Sequence, residues 1–301
     1  METHQHKKGL AAVSLAFGIW GIVVLFWKQL EHYGSVELIL YRLLWGFVFG
    51  LALVSLRGTF PDYLAALQSA RQLRIHLFNG LLITANWLAY VYAITHEHIL
   101  EGSLAYFMVP ILNTAMGFLL LKERLRPLQW IAITCASFGV LNEVIQFGRI
   151  PWLALIMAGT FAWYGMNKTK SELGPLTGLT LEITLMLPLA MISFVWLFLS
   201  GQAVANPTQP GDWIWMMSTG LVTLTPLVLF AYGARRIQLT TIGVFQFLAP
   251  TIKFAIGVFV YHEPFTSSKL ITFAFIWVAL VLYLIHLFQR HKHPIDAPSA
   301  P

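Results

Sequence analysis

Arg42, Glu182 and Lys253 stand inside long apolar runs of the chain, where ionisable side chains are rare. In hydrocarbon such a residue costs roughly 2.5–3.5 kcal/mol on insertion scales, and it usually faces a cavity or a partner. Two cations facing one cavity would favour an anionic or zwitterionic small molecule. Asn86, Trp87, Tyr106, Asn113 and Gln246 lie in neighbouring runs and can bond such a solute or bridge helices. Glu101 and Glu182 are the carboxylates placed to exchange a proton, or else to neutralise a nearby base. Pro110 and Pro250 each free a backbone carbonyl in mid-helix, which supplies a binding group, a hinge or a fixed kink.

The elements that must position these residues follow from composition. Of 301 residues, 57% are hydrophobic, 14% aromatic and only 11% charged, against roughly 45–50% apolar and about 25% charged in a soluble domain. So few charges cannot cover a soluble surface of this size. Cys135 is the single cysteine and excludes an internal disulfide framework. Hydrophobicity excludes disorder. The net charge of +6 does not indicate nucleic acid, because no basic stripe stands clear of the apolar runs. The bilayer is the implied partner and the fold class is an all-α membrane protein. Met1 to Lys8 is polar and leads into the first apolar run with no small-residue cleavage site, so that run reads as a spanning helix.

About 20 apolar residues cross roughly 30 Å of hydrocarbon. Ten candidate spans cover 10–28, 36–56, 75–95, 102–121, 128–146, 150–168, 178–200, 213–232, 241–261 and 268–288. The longest connectors, 57–74 and 201–212, contain Pro61, Asp62, Pro207, Pro210 and Gly211. Loop charge orients the set. With the N-terminus inside, Lys7, Lys8, Arg57, Arg71, Arg74, Lys122, Arg124, Arg126, Lys168, Lys170, Arg235, Arg236, Arg290 and Lys292 fall on one side; Lys28, Arg149 and Lys269 fall on the other. That bias fits ten transmembrane helices with both termini cytoplasmic.

The halves align at an offset of 140. Phe107 matches Phe247, Pro110 matches Pro250, Gly117 matches Gly257 and Glu123 matches Glu263; Ile19-Trp20-Gly21 corresponds more loosely to Ala162-Trp163-Tyr164-Gly165. The chain then divides into a tail (1–9), a first repeat (10–146), a second repeat (150–288) and a tail (289–301). Five spans per repeat is an odd number, so the second copy enters from the opposite side. Inverted repeats of this kind belong to alternating-access carriers, whose site lies near the midplane.

Depth follows from about 1.5 Å of rise per residue. Arg42 lies roughly 9 Å and Lys253 roughly 12 Å below the external face, and Glu182 roughly 6 Å from the cytoplasmic one. Glu182 is the repeat counterpart of Arg42, so inversion sets them at opposite depths and no salt bridge between them is expected. Lys253 corresponds to Asn113. Asn86, Asn113 and Lys253 are expected to ring the midplane, with Tyr106 and Gln246 a turn or two away. Trp20, Trp87 and Trp163 are candidate cavity walls, and Gly46-xxx-Gly50 allows close helix approach.

Glu101-Gly-Ser-Leu-Ala-Tyr106-Phe107-Met-Val-Pro110, Leu121-Lys-Glu123-Arg124 and Trp20-Gly21 with Arg42 resemble the drug/metabolite transporter superfamily. Asn86-Trp87 and Leu181-Glu182-Ile-Thr184 sharpen the resemblance to the RarD-type branch of its EamA family. The resemblance implies two EamA repeats of five helices, a bacterial inner-membrane location, and movement of small metabolites or drugs, with export favoured. It supplies no specific substrate. The second repeat departs from the pattern with His262-Glu263-Pro264 in place of Lys122-Glu123-Arg124.

Enzymatic constellations are absent from the sequence. His96-Glu97-His98 lacks metalloprotease spacing and is no closed metal site. No nucleophile elbow, P-loop or dinucleotide motif occurs. No cofactor and no metal are expected. A channel with a continuous pore is the alternative to a carrier, and a membrane-embedded enzyme is a more distant one.

Overall fold

The structure is a computed structural model that describes residues 2–96, 98–201, 210–262 and 267–292. Among them every regular element is helical. In order these are α1 (Glu2–Lys28), α2 (Ser35–Leu56), α3 (Phe60–Gln68), α4 (Ala70–Thr95), α5 (Ile99–Leu119), α6 (Pro127–Phe147), α7 (Trp152–Thr169), α8 (Pro175–Leu199), α9 (Pro210–Ala234), α10 (Leu239–Phe245), α11 (Leu248–Phe259) and α12 (Ser267–Lys292). Local chemistry sets the boundaries. Pro61, Pro127 and Pro175 sit in the first turns of α3, α6 and α8, where a missing N–H costs nothing. Gly148 closes α6 with a φ of 72°, a conformation a side chain would resist.

Among the described residues, eight helical stretches are long and apolar enough to cross a membrane: 4–28, 36–56, 101–119, 127–147, 175–199, 211–234, 239–259 and 269–286. The expected spans 75–95 and 150–168 do form long helices, α4 and α7, yet they fall outside this set. The physical reason is their polar content: α4 carries Arg71, Arg74, His76, Asn79 and Asn86, and α7 carries Asn167 and Lys168. Two further differences concern local structure. The connector expected at 57–74 contains the short helix α3. The span expected at 241–261 is broken at Gln246–Phe247 into α10 and α11, just ahead of Pro250.

Pairings between the halves follow a two-fold rule. α1 packs on α9 and α11, α2 on α8 and α9, α4 on α7 and α8, α5 on α7 and α10, and α6 on α12. Exchanging α1, α2, α4, α5 and α6 with α7, α8, α9, α10–α11 and α12 reproduces the same set of pairings. This is a two-repeat fold with the interface at its centre. Side-chain bonds mark its two ends. Gln5 meets Arg236 and Arg71 meets Glu172 at the end holding the start of α1, here the proximal end. Glu101 meets Arg149 at the distal end.

Small residues set the closest crossings. A Cβ on Gly243 would lie 2.5 Å from Thr114 Oγ1 and 2.6 Å from the Pro110 carbonyl, so α10 rests directly on α5. Gly46 and Gly50 of α2 face Ile183 and Thr180 of α8. A polar chain, Gln129 to the Tyr283 hydroxyl at 2.9 Å and Tyr283 to Thr241 at 2.8 Å, ties α6, α12 and α10 together.

Candidate functional site

The two cations in the distal half stand among aromatic rings. Arg42 on α2 donates from Nε to Thr223 Oγ1 on α9 at 2.9 Å. Its guanidinium lies 4.3 Å from the centre of the Trp87 ring on α4 and 5.1 Å from Trp27 on α1. Lys253 on α11 holds its ammonium 3.8 Å from the centre of the Tyr106 ring on α5. Tyr106 meets Tyr90 edge-on at 6.1 Å, which places the Lys253 contact between α4 and α5. Arg42, Lys253, Trp27, Trp87 and Tyr106 are each only partly buried. Among the described residues neither cation has a carboxylate within ion-pair distance. A guanidinium and an ammonium against aromatic faces gain cation–π attraction, and apart from Arg42 Nε their donors are left for an anion.

Deeper in the bundle, Asn113 on α5 donates to Oε1 of Gln246, the residue that ends α10, at 2.6 Å. Asn86 does not join the ring expected with Asn113 and Lys253. It donates to the Met157 carbonyl at 2.7 Å and to Thr160 at 3.4 Å, bridging α4 to α7. Trp20 packs among Phe17, Phe161 and Phe230 at 5.4–5.9 Å, whereas Trp163 faces outward. Pro110 lies in an unbroken α5 and Pro250 in the first turn of α11.

The proximal half is sealed around Glu182. Its Oε1 accepts from Lys168 Nζ at 2.5 Å, from Asn79 at 3.3 Å, and lies 2.9 Å from His76 Nδ1; its Oε2 accepts from the Tyr164 hydroxyl at 3.2 Å. Asn167 donates to Asn79 Oδ1 at 2.7 Å. Glu182 and His76 are 1% exposed and Lys168 2%. The Tyr164 ring continues this plug toward the centre by packing on Phe161 and Phe230. Two expectations change. Lys168, expected among the loop bases, is buried because α7 runs through to Thr169. Glu182 sits seven residues into α8, which begins at Pro175, and so lies deeper than expected. Arg42 and Glu182 bond separate partners, and no bond joins them.

The remaining candidates are joints between segments. Glu101 accepts from the Leu153 N–H at 3.0 Å in the first turn of α7 and pairs with Arg149 at 3.3 Å. Glu123 accepts from the Leu239 and Thr240 N–H groups at 2.7 and 2.9 Å, capping α10. Its repeat counterpart Glu263 lies outside the described residues, as do Pro264 and Glu97. Sequence reasoning missed His76, Asn79, Tyr164 and Asn167. His76 and Asn79 are three apart on one face of α4, and that spacing was the available signal.

Comparison with known proteins agrees with this architecture. The model of the EamA-like transporter family matches twice, over residues 7–142 and 150–285. An uncharacterized transporter of Pseudomonas aeruginosa is 39% identical over 287 residues, covering 94% of this chain and 95% of the relative. Protein RarD of Salmonella typhimurium is 33% identical over 299 residues, covering 97% and 100%. A solved structure described only as "Crystal structure of protein" superposes with a TM-score of 0.71 at 17% identity, over 95% of this chain and 99% of that one, which shows a shared fold. With two family matches, one on each repeat, and full-length RarD relatives, the chain belongs to the EamA-like transporter family, in the RarD-type branch of the drug/metabolite transporters.

Proposed function

We propose that the protein is a secondary carrier that moves a small anionic or zwitterionic metabolite or drug, amino-acid-like in charge, across the bacterial inner membrane by alternating access, in the export direction. The observation that carries this reading is the pair Arg42 and Lys253: two intramembrane cations without carboxylate partners, each set against aromatic rings. The two cations lie in the distal half, while the proximal half is plugged by the Glu182 network and the Tyr164–Phe161–Phe230 stack. A bundle plugged across one half suits a carrier better than a continuous pore. The reading takes ten spans, the eight strongly apolar stretches plus α4 and α7, whose polar faces are turned to one another. It also takes the proximal end as cytoplasmic, since Lys7, Lys8, Arg57, Arg71, Arg74, Lys170, Arg235 and Arg236 gather there. Five spans per repeat then make the repeats inverted. Relatives named as transporters support transport over an enzymatic role.

The test is counterflow in proteoliposomes loaded with amino acids, other small carboxylates or nucleobases. Saturable counterflow of an anionic or zwitterionic solute, lost in Lys253→Ala, is the expected result. Non-saturable flux without counterflow would indicate a pore, and wild-type rates in Lys253→Ala would remove Lys253 from the reading.

A further inference from the structure

Outside the Glu182 network, at the proximal end, a cavity of about 320 Å³ is lined by Arg71, Gln72, His76, Asn167, Lys170 and Glu172, among others. His76 is thus shared between this vestibule and the buried network. One ring nitrogen, Nδ1, lies 2.9 Å from Glu182 Oε1. The other, Nε2, is buried and has no hydrogen-bond partner. An unpartnered buried polar atom is unusual, and at the wall of an open cavity it marks a place where something is gained and lost. We propose that His76 Nε2 is a proton-binding site loaded from the vestibule, and that its protonation opens the sealed end of the carrier; this rests on the transport reading above.

The charge count gives the mechanism. With a neutral ring donating from Nδ1, the Lys168 ammonium balances the Glu182 carboxylate, and the cluster is neutral. A hydronium ion in the vestibule gives its proton to Nε2, leaves as water, and produces an imidazolium. Both cations then claim the same oxygen, Oε1, while Oε2 holds only the Tyr164 hydroxyl. A net positive charge in a site 1–2% exposed is costly. The cost is relieved when α4, carrying His76 and Asn79, parts from α7, carrying Tyr164, Asn167 and Lys168, and water reaches the surplus cation. The groups facing His76 are Glu182 from α8, Lys168 and Tyr164 from α7, Arg71 from α4 itself, and Lys170 and Glu172 of the α7–α8 connector. Arg71 and Glu172 pair with one another at 2.6 Å, which leaves their contribution to His76 nearly balanced. Histidine is the side chain whose charge changes between about pH 5 and 8, the range in which such a gate is useful.

The test reads the gate without any cargo. In a Cys135→Ser background, Ile83→Cys reports from a buried position on α4, seven residues inward of His76. A water-soluble methanethiosulfonate reagent is applied to the purified full chain at about pH 5.5 and about pH 8, either side of the histidine range. Rates are divided by those of Ser171→Cys in the vestibule wall, which removes the intrinsic pH dependence of thiols. The expected normalised rate is on the order of tenfold higher at acid pH, with no such rise in His76→Gln. His76→Asn, which also donates to Glu182 and cannot take a second proton, serves where the first variant does not fold. An acid-induced rise that survives both substitutions, or its absence from the unsubstituted protein, overturns the proposal. Failure of counterflow with intact pH-dependent labelling would instead overturn the transport reading.

Discussion

Lys253 holds its ammonium 3.8 Å above Tyr106, and this contact is the repeat image of the hydrogen bond between Asn113 and Gln246. At the offset of 140, Lys253 corresponds to Asn113 and Gln246 to Tyr106. The two crossings of α5 with the α10–α11 unit therefore use equivalent positions and different chemistry. One is a buried amide pair joined by a single hydrogen bond. The other is a cation on a ring, partly accessible, with its donors unclaimed by any carboxylate.

That difference separates two kinds of variant. Lys253→Ala should lower saturable counterflow at least about tenfold while costing only the cation–π term, about 0.5–2 kcal/mol. Lys253→Arg, which preserves the charge, should retain a measurable part of the flux. Proteoliposome rates and thermal unfolding of the same preparations check both statements.

Asn113→Leu should act on stability first. It leaves the Gln246 oxygen buried without a donor, at about 1–3 kcal/mol. Gln246→Leu orphans the Asn113 amide in the same way. The double substitution removes both ends of the bond, and its unfolding midpoint should lie above the sum of the single losses.

Lys168→Met strands the Glu182 carboxylate in a site almost without solvent, where breaking such a pair costs about 3–5 kcal/mol. Adding Glu182→Leu removes the uncompensated charge and should recover a large share of that loss. A simple surface ion pair would show neither the loss nor the recovery, so a thermal-shift series over the two variants decides it.

Gly243→Ala brings a Cβ to 2.5 Å from Thr114 Oγ1 and 2.6 Å from the Pro110 carbonyl, contacts that must be relieved by moving α10 off α5. The expected cost is about 1–3 kcal/mol. Thr114→Ala in the same chain clears one of the two obstacles and should restore part of the midpoint.

Much of the fold was legible because the bilayer imposes a strong and simple pattern. Long apolar runs, short connectors and the offset relating Pro110 to Pro250 sufficed for an all-helical two-repeat architecture. Local breaks were not legible. Pro110 and Pro250 share a motif, yet α5 is continuous and the second copy is split at Gln246–Phe247, because packing on the partner helix decides what a proline does. In the site, Arg42 and Lys253 were conspicuous as charges among apolar neighbours. Lys168 was hidden by its position: at the last residue of a candidate span, a lysine reads equally well as a loop base. His76 was hidden in a similar way, one residue inside the start of the candidate span 75–95. Their meaning depends on Glu182, 14 and 106 residues away, a relation no local pattern contains.

The polar faces of α4 and α7 also govern how the chain is assembled. α4 leaves the ribosome before α7 and α8 exist, so His76, Asn79 and Asn86 reach the membrane with none of their bonding partners yet made. A nascent first repeat is therefore an unfinished object whose third long helix is held only weakly by its own apolarity. On the ten-span reading proposed above, the bonds that hold it in place close only after Met157, Asn167, Lys168 and Glu182 have been synthesised.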